Sequence, residues 1–333
     1  MRALKIIGLI VMVLILIYFA GPKPVYPEYK YALPAIPASA QALEKYIQQK
    51  ENSHRLKPDN QARIIWNDSS KIQTEYAVIY LHGFSASQEE GDPVHTAFAK
   101  TFGCNLYLSR LAEHGVDTTE AMINLTADKL WNSAKEAVAI GKQLGKKVIV
   151  MSTSTGGTLA LKLAANYPDI AGLILLSPNV AINDGSAWVL NNPWGLQIAK
   201  MIKGNYMVSK DTTKIYKQYW DNKYRIEATT ELEELIETTM KASVFEKVTQ
   251  PVLLLYYYKD EEHQDPVVKV SAMLRMFKQL GTPVENKRAI AIPNAGDHVI
   301  GSYIKSKDVK TVEAETIKFG KEILHLQPVE KSN

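Results

Sequence analysis

Residues 147–165, KVIVMSTSTGGTLALKLAA, decide how the rest of the chain is read. Val148, Ile149, Val150 and Met151 make a short apolar run suited to a buried strand. The run stops at Ser152-Thr153-Ser154-Thr155-Gly156-Gly157, and residues 158–165 predict a helix packed back on that strand. A strand-to-helix turn with a serine at its apex and small residues two positions away on each side is a nucleophile elbow. The constraint is steric: a strained apical backbone lifts the hydroxyl clear of the sheet, and bulky neighbours at minus two or plus two would collide. Gly156 fills plus two. Minus two is Ser152, where glycine is commoner, so the motif reads S-x-S-x-G. Ser154 is preferred over Ser152 because the paired glycines follow it, where the helix must pass close to the sheet. Without support elsewhere, a Ser/Thr/Gly cluster in this place is an ordinary polar turn.

With 333 residues and 46% hydrophobic content the chain can bury a large core. The net charge is only +4, and acidic and basic residues are interspersed with no basic stripe, so no nucleic-acid partner is expected. Cys104 is the single cysteine, which rules out an internal disulfide; it lies in an apolar run and reads as a small buried hydrophobe. His95 and His114 lie near Asp92 and Glu113, but a third ligand at a recognisable spacing is missing, so no metal site is expected.

At the N-terminus, Arg2 and Lys5 precede an uninterrupted apolar run over residues 6–20. As a helix the run reaches roughly 22 Å, short of a ~30 Å bilayer core unless Leu4 and a snorkelling Lys5 extend it. Signal cleavage after Ala20 or Gly21 would place Tyr18 or Phe19 at minus three, a poor site. The expectation is an uncleaved single-pass anchor over 1–21, with the basic end cytoplasmic and the catalytic domain outside. The alternative is a secreted or periplasmic protein after signal removal. Residues 22–61 read as a proline-rich spacer leading away from the membrane and a helix capped by Ser39.

From residue 62 onward, strands and helices alternate, which argues for a mostly parallel sheet with helices on both faces. Strands are expected at 62–66, 76–81, 105–108, 171–176, 251–258 and 288–293, besides the elbow strand. The 76–81 strand runs into His82-Gly83-Phe84-Ser85. The alternation breaks over about 178–247, which carries Trp188, Trp194, Tyr206, Tyr216, Tyr219, Trp220 and Tyr224. Such a stretch suits a helical cap over an apolar substrate cleft, and otherwise an ordinary helical connection. The strand at 251–258 opens into an acidic loop, KDEEHQDPVV, and the strand at 288–293 leads to Gly296-Asp297-His298.

Ser154, an Asp of the 259–265 loop and His298 thus follow three strands in the chain order Ser, Asp, His, which belongs to the α/β-hydrolases among triad enzymes. Catalytic groups collect at the carboxyl ends of such strands. On His82-Gly83-Phe84, Ser152-x-Ser154-x-Gly156, Asp265-Pro266-Val267-Val268 and Gly296-Asp297-His298, residues 62–326 resemble the α/β-hydrolase superfamily. They look closest to its carboxylesterase, monoacylglycerol lipase and serine aminopeptidase-like branch. The resemblance implies Ser154 as nucleophile and His298 as general base, with an Asp orienting that His. It implies the Phe84 and Thr155 backbone N–H groups as oxyanion hole, and no cofactor. Asp265 is the first choice for the acid, since Pro-Val-Val and a helix follow it. Asp260, nearer the strand end, is the second, and His263 reads as solvated.

The reading is an α/β-hydrolase domain over 62–333 with a cap insertion, acting on small-molecule carboxylic esters that carry an apolar group, and attached to the lipid bilayer through its N-terminus. A peptidase, amidase or acyltransferase would use the same triad. A catalytically inactive hydrolase fold serving as a binding module would show the loss of a triad member, and none is lost here.

Overall fold

The computed structural model describes residues 2–329. Its N-terminal half contains α1 (Arg2–Phe19), α2 (Ala40–Glu51), β1 (Arg63–Ile65), β2 (Thr74–Leu81), α3 (Val94–Thr101), β3 (Asn105–Leu108), α4 (Ala127–Leu144), β4 (Gly145–Thr153), α5 (Thr155–Asn166) and β5 (Ile170–Leu176). An insertion follows with α6 (Gly195–Lys203), β6 (Tyr206–Val208), α7 (Lys214–Tyr219), β7 (Lys223–Arg225), α8 (Glu227–Thr239) and α9 (Ala242–Phe245). The chain then returns through β8 (Val252–Tyr256), α10 (Val270–Gln279), β9 (Lys287–Ala291) and α11 (Val309–Glu322).

Seven strands form one sheet in the order β1-β3-β2-β4-β5-β8-β9. Only β1 is antiparallel to its neighbour; the other pairs are parallel. Parallel pairs need crossovers, and crossovers place helices over both faces. The side chains of β2 show the consequence. Ala77, Ile79 and Leu81 enter the core beneath α4, α5 and α10, while Val78 and Tyr80 enter the core beneath α3 and α11. Strands buried on both sides must be apolar at consecutive positions, which is why the runs at 76–81 and 148–151 do not alternate.

The helix after the elbow starts at Thr155, three residues earlier than its apolar pattern suggests, because the Ser154 carbonyl already accepts the Gly157 and Thr158 N–H groups at 2.8 and 3.3 Å. The insertion between β5 and β8 is not purely helical, since β6 and β7 form a two-stranded antiparallel ribbon inside it.

The proline-rich stretch is extended, as its composition demands, and it runs along the body of the domain. Its aromatics find partners on the body. Tyr29 is buried; its N–H donates to Asp128 Oδ1 at 3.1 Å, and the Lys162 ammonium sits 3.9 Å from its ring centroid. Trp131 Nε1 donates to the Lys30 carbonyl at 2.9 Å, and the Tyr167 hydroxyl to the Tyr31 carbonyl at 2.6 Å. The segment is therefore a strap across α4 and α5. It brings α1 beside the insertion, where Trp194 donates its backbone N–H to the Pro22 carbonyl and its indole N–H to the Ile17 carbonyl, both at 2.9 Å.

Tyr29→Ala removes a buried ring and leaves a cavity, so it should lower the unfolding free energy by about 3 kcal/mol, read as a lower denaturant midpoint at constant slope. An unchanged midpoint would mean that the strap contributes nothing to the fold.

Candidate active site

Ser154 caps α5 with φ 52° and ψ −117°, a conformation that costs a non-glycine residue about 1–3 kcal/mol and persists only where surroundings enforce it. They do so from three sides. The Ser154 N–H donates to the Leu176 carbonyl at 3.0 Å, and its carbonyl accepts the Asn179 N–H at 2.9 Å as well as the two α5 donors. A Cβ on Gly156 would lie 2.0 Å from the Leu81 carbonyl oxygen, so plus two admits only glycine. Minus two is less demanding: Ser152 is fully buried and its Oγ has no hydrogen-bond partner among the described residues, so its small side chain is tolerated rather than used.

The loop after β2 is fixed as firmly. His82 is buried; its Nε2 accepts the Leu111 N–H at 3.0 Å, so Nδ1 carries the proton and donates to the Gly83 carbonyl at 2.8 Å. Burial, with His114 beside it, holds His82 well below the ordinary histidine range, which suits a neutral structural ring. The Gly83 N–H donates to the Glu90 carboxylate, and the Ser85 carbonyl accepts the Asp221 N–H of the insertion at 2.6 Å. Between these anchors, the Phe84 N–H makes no hydrogen bond among the described residues, and neither does the Thr155 N–H across from it.

Of the two candidate acids, the structure brings Asp265 and not Asp260 to His298. Asp265 is 1% exposed; its Oδ2 accepts His298 Nδ1 at 2.7 Å, and its Oδ1 accepts the Val267 and Val268 N–H groups at 2.8 and 3.0 Å. The Pro-Val-Val pattern behind Asp265 thus supplies the backbone donors that aim it. Asp260 is exposed and holds His263 instead, Oδ1 to Nδ1 2.8 Å. Burial by itself would raise Asp265, but the charge and hydrogen bond of His298 and the two backbone donors leave it below the usual carboxylate range. Burial would likewise lower His298, yet Asp265, assisted by Glu90 and Asp297, holds it above the ordinary histidine value.

His298 Nε2 is buried without a partner, and Ser154 and His298 line the same cavity of about 630 Å³. No hydrogen bond joins Ser154 Oγ to Nε2; such contacts commonly tighten only when substrate fills the site. Glu90 lines this cavity as well, fully enclosed, and burial pushes it up to about 7 despite the Gly83 N–H and the nearby His298. Nothing in the sequence marks Glu90, since Gln-Glu-Glu-Gly reads as a solvated turn. Its signal is positional: a carboxylate seven residues after Gly83 curls back onto that glycine.

Of the seven tryptophans and tyrosines of the insertion, only Tyr216, Trp220 and Tyr224 line the cavity. Trp188 and Trp194 face outward, and Tyr219 donates to Asp59 at 3.0 Å. The inner wall is mainly aliphatic, with Val189, Leu190, Ile198, Ile226 and Leu232. His95 and His114 are buried separately, each donating a ring N–H to a backbone carbonyl, of Gln88 and of Ala112.

The model of the family described as serine aminopeptidase, S33, matches residues 77–296, from the middle of β2 to the turn before His298. The chain belongs to that family. It is 34% identical over 105 residues to a thermostable monoacylglycerol lipase of Bacillus sp. (strain H-257), a match over 32% of this chain; it spans 41% of the length of that relative. Among solved structures, one of metagenome-derived lipolytic enzymes superimposes with a TM-score of 0.62 at 16% identity, over 80% of this chain and 98% of that one. A monoacylglycerol lipase of Paleococcus ferrophilus gives 0.57 at 13%, over 80% and 98%. At these identities the two structures establish the α/β-hydrolase fold.

His298 must be neutral to accept a proton, so activity should rise with pH through a midpoint above about 6.5. Asp265→Asn removes the anion that raises His298, so turnover should fall by about 10⁴ and the remaining midpoint should move down. Asp260→Asn should leave both within about twofold, as expected of a solvated pair. Glu90→Gln, which keeps an acceptor for Gly83 but removes charge, should move the midpoint down by less than Asp265→Asn. A pH–rate profile in which Asp260→Asn alone shifts would transfer the orienting role to Asp260.

Proposed function

We propose that the protein is a serine hydrolase that cleaves carboxylic esters through an acyl-enzyme on Ser154. The observation that carries this reading is the buried Asp265–His298 pair, whose unpartnered Nε2 opens into the cavity that Ser154 enters from its strained elbow. A serine hydroxyl is a weak nucleophile at neutral pH, so His298 Nε2 takes its proton as Oγ bonds to the ester carbonyl carbon. Asp265 keeps Nδ1 protonated and stabilises the imidazolium. The carbonyl oxygen becomes an oxyanion, and the free Phe84 and Thr155 N–H groups are the donors for it; one such donor is worth about 3–4 kcal/mol. As the carbonyl re-forms, the alkoxide leaves with the proton from Nε2. Water, activated by the same imidazole, then attacks the acyl carbon and frees Ser154.

An ester with a long apolar acyl group is favoured over a peptide by the aliphatic wall and by the similarity to the Bacillus monoacylglycerol lipase. The buried carboxyl group of the same cavity supports the same preference. Glu90 is committed to Gly83 and raised to about 7, a weak partner for the ammonium of an amino-terminal substrate.

We further propose that α1 anchors the protein in a membrane. The helix has a mean hydropathy of 2.4, buries no residue and is about 27 Å long, near the thickness of a bilayer core. With Arg2 and Lys5 at its start, the basic end faces the cytoplasm and the catalytic domain lies on the other side.

Ser154→Ala should abolish labelling by a fluorophosphonate probe and lower ester turnover by about 10⁶, while Ser152→Ala keeps both. Equal loss in the two variants would move the nucleophile. The full chain should remain in the membrane fraction, and a chain starting at Tyr26, which keeps the strap, should be soluble and active. A mature N-terminus at Gly21 or Pro22 would show that α1 is removed instead.

A further inference from the structure

A second cavity, of about 430 Å³, lies beside the catalytic one, lined by α8, α9, α10 and the loop that follows β5. Ile182, Asp184 and Ala187 line both cavities, so this loop is the wall between them. Ser154, Asp265 and His298 do not line the second cavity. The wall is held in place by the segment behind Asp265. Ile182 pairs with Val268, the Asn183 N–H donates to the Val267 carbonyl at 2.8 Å, and the Lys269 N–H donates to the Ala181 carbonyl at 2.9 Å. The second cavity is therefore largely formed before a ligand enters, as ligand sites usually are.

Its inner surface is apolar, with Val180, Ile236, Phe245 and Met276, apart from one carboxyl group. Glu233 on α8 is 5% exposed, and its Oε2 is buried with no hydrogen-bond partner among the described residues. Lys269 lines the same cavity but forms no ion pair with Glu233, and Lys241 and Arg275 are exposed at the rim. A buried polar group without a partner carries its full desolvation penalty. A proton relieves that penalty, and so does a donor brought in from outside.

The surrounding charge selects the donor. Burial does most to raise Glu233; Glu237 and Asp184 add to it and only Lys269 opposes, which leaves Glu233 at about 7. Nearby carboxylates thus outweigh the nearby lysine, and a negative field in apolar surroundings suits a cation with an apolar body. A metal ion is not suited, since no three His, Cys, Asp or Glu side chains converge there among the described residues.

We propose that the second cavity is a binding site for a small organic cation, a primary alkylammonium whose charged end donates to Glu233 and whose chain lies against Ile236, Phe245 and Met276. The site is separate from the one that holds the ester, and it stands whether or not the ester-hydrolase reading does.

The test titrates the full chain in detergent micelles with n-butylammonium, 1-butanol or butyrate, followed by ligand-observed NMR. At pH 8 n-butylammonium should bind saturably and at least about tenfold more tightly than the alcohol, and butyrate should not bind. Glu233→Gln, which keeps the shape but not the charge, should weaken n-butylammonium by about tenfold or more. Glu90→Gln, in the catalytic cavity, should leave it within about twofold. Lowering the pH from 8 to 6 protonates Glu233 and should weaken binding by about tenfold. The other charged groups facing the cavity are Asp184, Glu237, Lys241, Lys269 and Arg275, and side chains of these types do not ordinarily titrate in that window. Equal binding of the alcohol, or tighter binding of butyrate, would overturn the cation. Loss on Glu90→Gln with none on Glu233→Gln would overturn the site, and so would an affinity that is flat from pH 8 to 6. The ligand and pH series use the unaltered chain, so they decide the matter however Glu233→Gln folds.

Discussion

A serine held at φ 52° and ψ −117° is in a conformation that an isolated chain avoids, and the site depends on the sheet enforcing it. The enforcement comes from β2 and β5, the two neighbours of β4. Leu176 at the end of β5 takes the Ser154 N–H, and the Leu81 carbonyl at the end of β2 passes so close to Gly156 that no Cβ fits. Because both contacts are strand ends in a parallel sheet, the register that buries the core also places Ser154. The same strand ends give rise to the His82 loop after β2 and, beyond β8 and β9, to Asp265 and His298. Misalignment of the sheet by one residue would exchange its faces and dismantle every part of the site together.

Electrostatically the site balances two buried carboxylates against one imidazole. Asp265 has three hydrogen-bond donors and stays ionised; Glu90 has the Gly83 N–H and sits near 7. Two environments thus separate two like groups, one ionised against the imidazole and one that fixes a loop without carrying a full negative charge. Asp221 of the insertion holds the same loop from the other side, so the insertion helps to fix the Phe84 loop as well as to form the cavity wall.

Much of this is legible in the sequence where local pattern and chemistry coincide. The apolar strands, the S-x-S-x-G turn, His82-Gly83 and His298 are each short motifs at strand ends, and the sheet follows from their alternation with helices. Asp265 and Asp260 could not be separated by pattern, because both stand in one polar loop. Burial and the Val267 and Val268 N–H groups distinguish them, and these are tertiary facts. Glu90 is invisible for the same reason, as a glutamate in an acidic turn reads as solvated until the turn is seen to fold inward. The strap is half legible, because composition reports that 22–37 is extended but not that Tyr29 meets Lys162 and Trp131, more than a hundred residues away. The aromatics of the insertion gave the apolar cleft but not its lining. A tryptophan count does not say which way each indole points, and Trp188 and Trp194 point out.

The central claim is that turnover passes through an acyl group on Ser154. Rapid acid quenching during steady-state hydrolysis of a chromogenic long-chain ester, followed by proteolysis and mass spectrometry, reads it directly. The account predicts one acyl group, on the peptide spanning β4 and α5 and carried by Ser154, trapped by the acid quench because a protonated His298 no longer activates water. Turnover with no acylated peptide, or an acyl group on Ser85 or Ser152, would contradict it.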